Sequence, residues 1–300
     1  MAFLFKLTII GVFAVSLCQG MQNTRCNEGE ADALLHLKSG LNDSYGGLSS
    51  WIKGTDCCLW QGISCDPNTN HVVTVDTSLG VVGGVISEGL CNLSFLTAIN
   101  MVANGLTCTI PSCLGKLSYL TELVLAWNKL SGSIPFSFTN MSSLATLNLQ
   151  RNNLEGESVL STICMMTSLI KIDLAGNQLN GSLPLCLGNL SSLDYLSLSG
   201  NQLTGTIPSS LSTLSSLHTL YLGSNRFSGI IPNSLGKMSS LSDFNVYNNE
   251  LSGQVPDSLG NISSLKTLDL SYNRFNGTLP ASFSRLTALT SLRAYGNAFC

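Results

Sequence analysis

Leucines recur along this chain with a period that neither a single helix nor a single strand can use. Leu120, Leu123, Leu125, Leu130 and Leu144 come back in phase as Leu193, Leu196, Leu198, Leu203 and Leu217. Within each group the pair Leu123-x-Leu125 has a spacing of two, which predicts a short strand with alternate residues turned inward. Asparagine marks the same phase at Asn104, Asn128, Asn152, Asn177, Asn201, Asn225, Asn249, Asn273 and Asn297, in steps of 24 with one of 25. Four residues beyond the asparagine stands Gly132, Gly156, Gly181, Gly205, Gly229, Gly253 or Gly277, with Cys108 in that place in the first of these coils. Pro111, Pro135, Pro184, Pro208, Pro232, Pro256 and Pro280 follow in phase. The 25-residue coil carries Val159 where proline belongs, so its extra residue is expected after Gly156.

A coil of 24 residues cannot enclose five apolar side chains by itself. Stacked coils can, at roughly 2 kcal/mol per enclosed leucine before chain entropy is subtracted. The asparagine side chain both donates and accepts, so it is expected to satisfy backbone groups of adjacent coils where the strand turns away. Glycine permits the tight bend and proline fixes φ on the outgoing segment.

Leu120 to Pro135 match the spacing LxxLxLxxNxLxGxIP throughout, and Ser-Gly-Ser-Ile-Pro (131–135) belongs to the same wording. This resembles the plant-type extracellular leucine-rich repeat. The resemblance implies an α/β solenoid, a right-handed superhelix of about ten coils with short parallel strands on its concave face. A weaker opening coil runs through Val72, Val75, Gly84 and Ile86, with Gly80 in place of the ladder asparagine.

Residues 26–65 fall outside the period. Asn27-Glu28-Gly29-Glu30 predicts a helix start of the capping-box kind, with Ala31, Leu34, Leu35 and Leu41 available to face the first coil. Leu48-Ser49-Ser50-Trp51 and the run Asp56-Cys57-Cys58-Leu59-Trp60 to Asp66 resemble the N-terminal cap of plant leucine-rich-repeat receptors. By that resemblance Cys26–Cys57 and Cys58–Cys65 are the expected bridges, whereas sequence alone permits three pairings of four cysteines. The cysteine doublet is the form found in receptor-like proteins and polygalacturonase-inhibiting proteins. The expected organisation is therefore a cap over 21–70 and repeats over 71–300. Asn297-Ala298-Phe299-Cys300 resembles the opening of the family's C-terminal cap, which is incomplete here, so a truncated chain or an end covered by another molecule is expected.

Residues 1–20 hold Lys6, an apolar run from Leu7 to Leu17 and small residues at Cys18 and Gly20, the pattern of a cleaved secretory signal. The ten cysteines that remain include no CxxC pair, which fits structural disulfides in an oxidising compartment better than zinc or thioredoxin chemistry. Charged residues make up only 10% of the chain, against ~25% in an average soluble domain. Asn42, Asn92, Asn140, Asn180, Asn189, Asn261 and Asn276 open Asn-x-Ser/Thr triplets, so glycans are expected to supply the solubility that ions do not. A net charge of −3 offers no basic field for nucleic acid.

Strand residues pointing away from the core line one face of a solenoid. Here they include Glu122, Asn148, Gln150, Lys171, Asp173, Asn245, Asp269 and Arg293, with an aromatic set among them. Trp127, Arg151, Tyr195, Tyr221, Tyr247, Tyr272 and Tyr295 are the candidate ligand contacts, with Tyr221–Tyr247–Tyr272–Tyr295 as the central tract, because aromatic side chains give large contact area at low entropic cost. Cys108, Cys113, Cys164 and Cys186 read first as free buried thiols. Bridges Cys91–Cys113 or Cys108–Cys113 stay open, as does the partner of Cys300. His36, His71 and His218 mark no nucleophile, and no HExxH, P-loop or GxGxxG motif occurs. Asp243 and Asp269 lie in adjacent coils, but an open strand face excludes water poorly, so no enzyme, metal or cofactor is expected. The expected function is extracellular recognition of a protein, peptide or glycan, with a co-receptor kinase as a further partner, in defence or development. The chain is expected in the apoplast or cell wall, or at the cell surface if it is part of a receptor, and no membrane span follows the leader. The alternatives are an inhibitor of a pathogen's wall-degrading enzyme and an ice-binding repeat protein.

Overall fold

The computed structural model describes residues 26–300 except positions 79, 81 and 82. The expected secretory signal lies outside the described residues. Helix α1 (Glu28–Gly40) begins at Asn27, whose side-chain oxygen accepts the Gly29 N–H at 2.9 Å. Glu30 does not close the capping box. It is buried, and its carboxylate accepts the Val72 N–H at 3.1 Å and meets His71 Nδ1 at 3.1 Å. A buried acid needs partners, and here they tie the cap to the first strand of the solenoid. Ala33, Leu34 and Leu37 bury the inner side of α1. Trp51 and Trp60 stack at 5.7 Å, and their ring N–H groups donate to Gln61 O and Thr55 Oγ1.

One sheet of eleven strands runs the length of the chain in sequence order. Ile63–Cys65 is antiparallel to Val72–Asp76, and every later pairing is parallel. The later strands are Ala98–Asn100, Glu122–Val124, Thr146–Asn148, Lys171–Asp173, Tyr195–Ser197, Thr219–Tyr221, Asp243–Asn245, Thr267–Asp269 and Ser291–Arg293. Equivalent leucines sit side by side, as in Leu123↔Leu147 and Leu196↔Leu220. After each strand the chain bends at the asparagine and glycine, passes the proline and returns through a short 3-10 helix such as Phe136–Asn140. A second, shorter sheet follows the bend in the last coils, through Ser228–Gly229, Glu250–Gln254, Arg274–Gly277 and Ala298–Phe299. In the coil with the additional residue, helix α2 (Ser158–Ile163) replaces the proline and the 3-10 turn, and Val159 is buried there.

The leucines form one continuous core from the cap to the last coil, with Phe138, Phe227, Phe244 and Phe275 substituting as fully buried side chains. The asparagine ladder closes its edge. Asn128 Oδ1 accepts the N–H of Asn104 and of Leu106, and its Nδ2 donates to Met101 O in the preceding coil and Leu125 O in its own. The bond corresponding to that of Leu106, and the two Nδ2 donations to the preceding coil and the asparagine's own, repeat at Asn152, Asn177, Asn201, Asn225, Asn249, Asn273 and Asn297. In the opening coil the residue 27 places before Asn104 is Thr77, and its Oγ1 accepts from Asn104 Nδ2 at 3.3 Å.

Among the described residues four disulfides are formed. Cys26–Cys57 and Cys58–Cys65 hold the cap. Cys91–Cys113 and Cys164–Cys186 join neighbouring coils, with Cα separations of 5.7 and 5.6 Å. These bridges correct the expectation of free thiols at Cys113, Cys164 and Cys186. Each partner lies 22 residues back rather than a full period, so comparing equivalent positions does not pair them. Among the described residues Cys108 and Cys300 are free.

Candidate functional site

In each coil the residues six, four and two places before the ladder asparagine turn out of the long sheet. Tyrosine takes the first of these at Tyr195, the second at Tyr221 and the third at Tyr247 and Tyr295. Tyr272 stands immediately before its asparagine. The tyrosines thus climb diagonally across the sheet as the coils advance. Tyr195 and Tyr221 meet edge to face at 6.0 Å, and Tyr247–Tyr272 and Tyr272–Tyr295 do so at 5.5 and 5.2 Å. No ring contact joins Tyr221 to Tyr247, so the expected single tract is two clusters. Edge-to-face pairs contribute about 0.5–1.5 kcal/mol beyond burial, which orders these rings before any partner arrives.

Two cations lie on this aromatic surface. The Arg151 guanidinium sits 4.1 Å over the Trp127 ring, and Lys171 Nζ lies 5.2 Å from the Tyr195 ring. Asp173 and Asp269, expected on the open face, are buried instead. Asp173 Oδ1 accepts the Ala175 N–H at 3.1 Å, and Asp269 Oδ1 accepts the Ser271 N–H at 3.0 Å. Arg293 approaches Asp269 at 3.6 Å. Burial, partly offset by the Ala175 hydrogen bond and Lys171, holds the Asp173 carboxyl above the usual range. Burial and then the Asp173 charge push the Tyr195 phenol up to about 12. Burial followed by the Asp243 charge also raises Tyr221.

The residue just before the ladder asparagine requires a left-handed backbone, because its N–H turns to a carbonyl of the next coil, as Arg151 N does to Ala175 O at 2.7 Å. Glycine answers that demand at Gly176, Gly200 and Gly296. Trp127, Arg151 and Tyr272 hold the same conformation with φ of 59°, 52° and 53°, as do the smaller Ala103, Ser224 and Asn248. Large side chains in this region cost of order 1–3 kcal/mol each, and such outliers concentrate where side chains are used. Sequence reasoning missed this. The signal was available, since glycine at three equivalent positions marks the conformation that the other coils must share.

Next to Arg151 the small residues Ala175, Gly176, Ser199, Gly200 and Ser224 leave an open hollow of about 620 Å³, with Gln150 and Asn153 also in its lining. His218 faces Asp194 through Nδ1, with both side chains about half exposed and no nucleophile in contact. Cys26, Cys57 and Cys58 bring three sulfurs together among the described residues, but all three are committed to disulfides. Among the described residues no helix is long and apolar enough to cross a membrane.

Comparison with known proteins agrees with this architecture. Residues 27–66 match the Leucine rich repeat N-terminal domain, and 119–141, 168–190 and 264–286 match the Leucine Rich Repeat. A two-copy repeat description matches 191–232. Receptor-like protein EIX2 of Solanum lycopersicum is 38% identical over 96 residues, covering 28% of this chain and 9% of that protein. The Polygalacturonase inhibitor of Vitis vinifera is 34% identical over 93 residues, 31% of this chain and 28% of the inhibitor. The chain thus spans about a tenth to a quarter of the length of these two relatives. Among solved structures, a plant ice-binding protein superposes with a TM-score of 0.81 at 28% identity over 92% of this chain and 88% of that one. The ectodomain of the Arabidopsis receptor kinase HAESA, solved with a peptide hormone ligand, gives 0.76 at 33% identity over 90% of this chain and 49% of that one. With cap, period, ladder and disulfides all in place, the chain is a leucine-rich repeat protein of the extracellular plant type.

Proposed function

We propose that this chain is an extracellular recognition module of the receptor-like kind, which binds a protein or peptide on the open face of its long sheet and is not an enzyme. A co-receptor kinase is a further partner on this reading. The observation that carries it is the diagonal of tyrosines, ordered by edge-to-face contacts on a surface the fold does not need for its core. Aromatic residues with few rotatable bonds suit such a surface. The likeness to HAESA and to the receptor-like proteins supports the same reading. The test is selection of short random peptides on the immobilised chain, repeated on a Tyr221→Ala/Tyr247→Ala variant. Peptides that bind the parent and lose at least about tenfold on the variant, with melting unchanged, support this face. Unchanged affinity rejects it.

A second reading, inhibition of a polygalacturonase, is favoured by the match to the Vitis vinifera inhibitor. Suppressed polygalacturonase activity on adding the chain would support it over the first. The ice-binding alternative draws on the superposition at 0.81. On the flank that follows the bend, however, Thr206 is followed at the equivalent positions by Ile230 and Gln254, and Thr204 by Ser228 and Ser252, so no continuous threonine array forms.

A further inference from the structure

We infer that Arg151 is a preset carboxylate receptor, and that the bound segment presents an aspartate or glutamate to it beside the hollow over Gly176 and Gly200. This inference rests on the recognition reading above and specifies its chemistry.

Three observations on one side chain converge. First, the side chain is held at two points, its head over a ring and its stem against the next coil. Its face lies 4.1 Å over Trp127, while a Cβ added to Gly176 would stand 3.2 Å from Arg151 Cγ, so the stem lies along the next coil's glycine. A flat, clamped guanidinium loses little freedom when it forms paired hydrogen bonds. Second, the charge is unspent. Among the described residues the ion pairs are His71–Glu30, His218–Asp194, Arg274–Glu250 and Arg293–Asp269, and Arg151 belongs to none of them. Other unpaired cations, such as Lys116 and Lys237, end 3-10 helices without a ring beneath them. Third, the left-handed backbone that every coil takes just before its ladder asparagine, with φ of 52° at Arg151 and 53–59° at Ala103, Trp127, Ser224, Asn248 and Tyr272, fixes the direction in which the Arg151 stem leaves the chain.

The rim selects the carrier of the carboxylate. Gln150 and Asn153 present amides that can donate to and accept from a peptide backbone, and the small floor admits a neighbouring side chain. The tyrosines further along are set edge to face at 79–90°. They offer no run of parallel ring faces for stacked sugars. An acidic protein segment fits this arrangement better than an acidic oligosaccharide.

Arg151→Gly separates use from structure. It relieves the left-handed strain, so its melting temperature should equal or exceed the parent's. Short random peptides are selected on the parent, and their affinities are measured on the parent and on Arg151→Gly. The expected result is a shared Asp or Glu in the selected peptides and a loss of about tenfold or more on the variant. Replacing that acid by its amide should cost as much on the parent and nothing further on the variant. Selected peptides without an acidic preference, or with unchanged affinity for Arg151→Gly, overturn the inference. If those peptides still fail on Tyr221→Ala/Tyr247→Ala, the recognition reading stands without it. If no peptide is enriched on the parent, both fall. Oligogalacturonide binding that disappears in Arg151→Gly, with no acidic peptide selected, assigns the guanidinium to a uronate and overturns the peptide.

Discussion

The side-chain nitrogen of Asn201 donates to the carbonyl oxygen of Leu174, 27 residues earlier, at 3.0 Å. The same amide donates to Leu198 O in its own coil, and its oxygen accepts the Leu179 N–H at 3.0 Å. One buried side chain therefore serves backbone groups of two coils where neither the strand nor the return turn can reach them. Leucine has similar bulk but no polar atom. Asn201→Leu should lower stability by about 1–3 kcal/mol per group left bare, with little change in secondary structure. Chemical denaturation reads this directly, and an unshifted transition would contradict the ladder role.

Asp173 occupies the place that Asn148 and Asn245 take in other coils, and all three side-chain oxygens accept the N–H two residues on. The asparagines do so without charge. Burial raises the Asp173 carboxyl above its ordinary value of 3.8, so the folded state favours the protonated acid. That contribution is present below the unfolded pKa and is lost as pH rises through the folded one. Asp173→Asn keeps the acceptor and removes the charge. Melting curves of variant and parent should lie close together near pH 3.5 and separate toward neutrality, with the variant the more stable. The same change should move the Tyr195 phenol down from about 12, since the Asp173 charge helps raise it. In the parent, Tyr195 contributes stability below its unfolded pKa of about 10, and this is lost as pH climbs through about 12.

Most of the coil was legible because its demands repeat. Leu123, Asn128, Gly132 and Pro135 each perform one backbone or core task, and a task repeated from coil to coil becomes a period. The candidate face was legible only as a set of outward positions. Tyr195 and Tyr221 are found by alternation, but whether their rings touch depends on which outward column each occupies, and the diagonal breaks before Tyr247. The burial of Asp173 and Asp269 was not legible, because it depends on side chains such as Tyr195 and Ser271 leaning over them from neighbouring positions. Glu30 was misplaced for a related reason. A local capping pattern competes with a distant partner, and the Val72 N–H, 42 residues away, takes the carboxylate.

The inter-coil bridges make a chemical prediction. Cys164 follows α2 and Cys186 lies in the next return helix, Leu185–Asn189, so their bond spans the coil with the additional residue. Replacing both by serine should cost about 3 kcal/mol, the chain-entropy value for a loop of this size. Thiol titration of the denatured, unreduced mature chain should find two free thiols, Cys108 and Cys300. Six or more would restore the reading of buried thiols in the repeats.

The asparagines divide into two populations, and this predicts where sugar is attached. Asn104 to Asn273 in the ladder are buried, and each is followed two places on by leucine or phenylalanine, as the core requires. That spacing excludes the Ser or Thr an acceptor needs. Asn42, Asn92, Asn140, Asn180, Asn189, Asn261 and Asn276 are all exposed. Asn92, Asn140, Asn189 and Asn261 each end a 3-10 helix on the return side of the coil, and Asn180 and Asn276 lie on the flank just beyond the bend. None stands on the outward strand positions that carry the tyrosines. In chain secreted from plant cells, enzymatic release of N-glycans in heavy-oxygen water should label asparagines only from this set. Removing the glycans should lower solubility while leaving the affinity of the selected peptides within about twofold, since glycans rooted away from the strands do not enter the interface. A label at any ladder asparagine, or a tenfold change in peptide affinity on deglycosylation, would contradict this division of the surface.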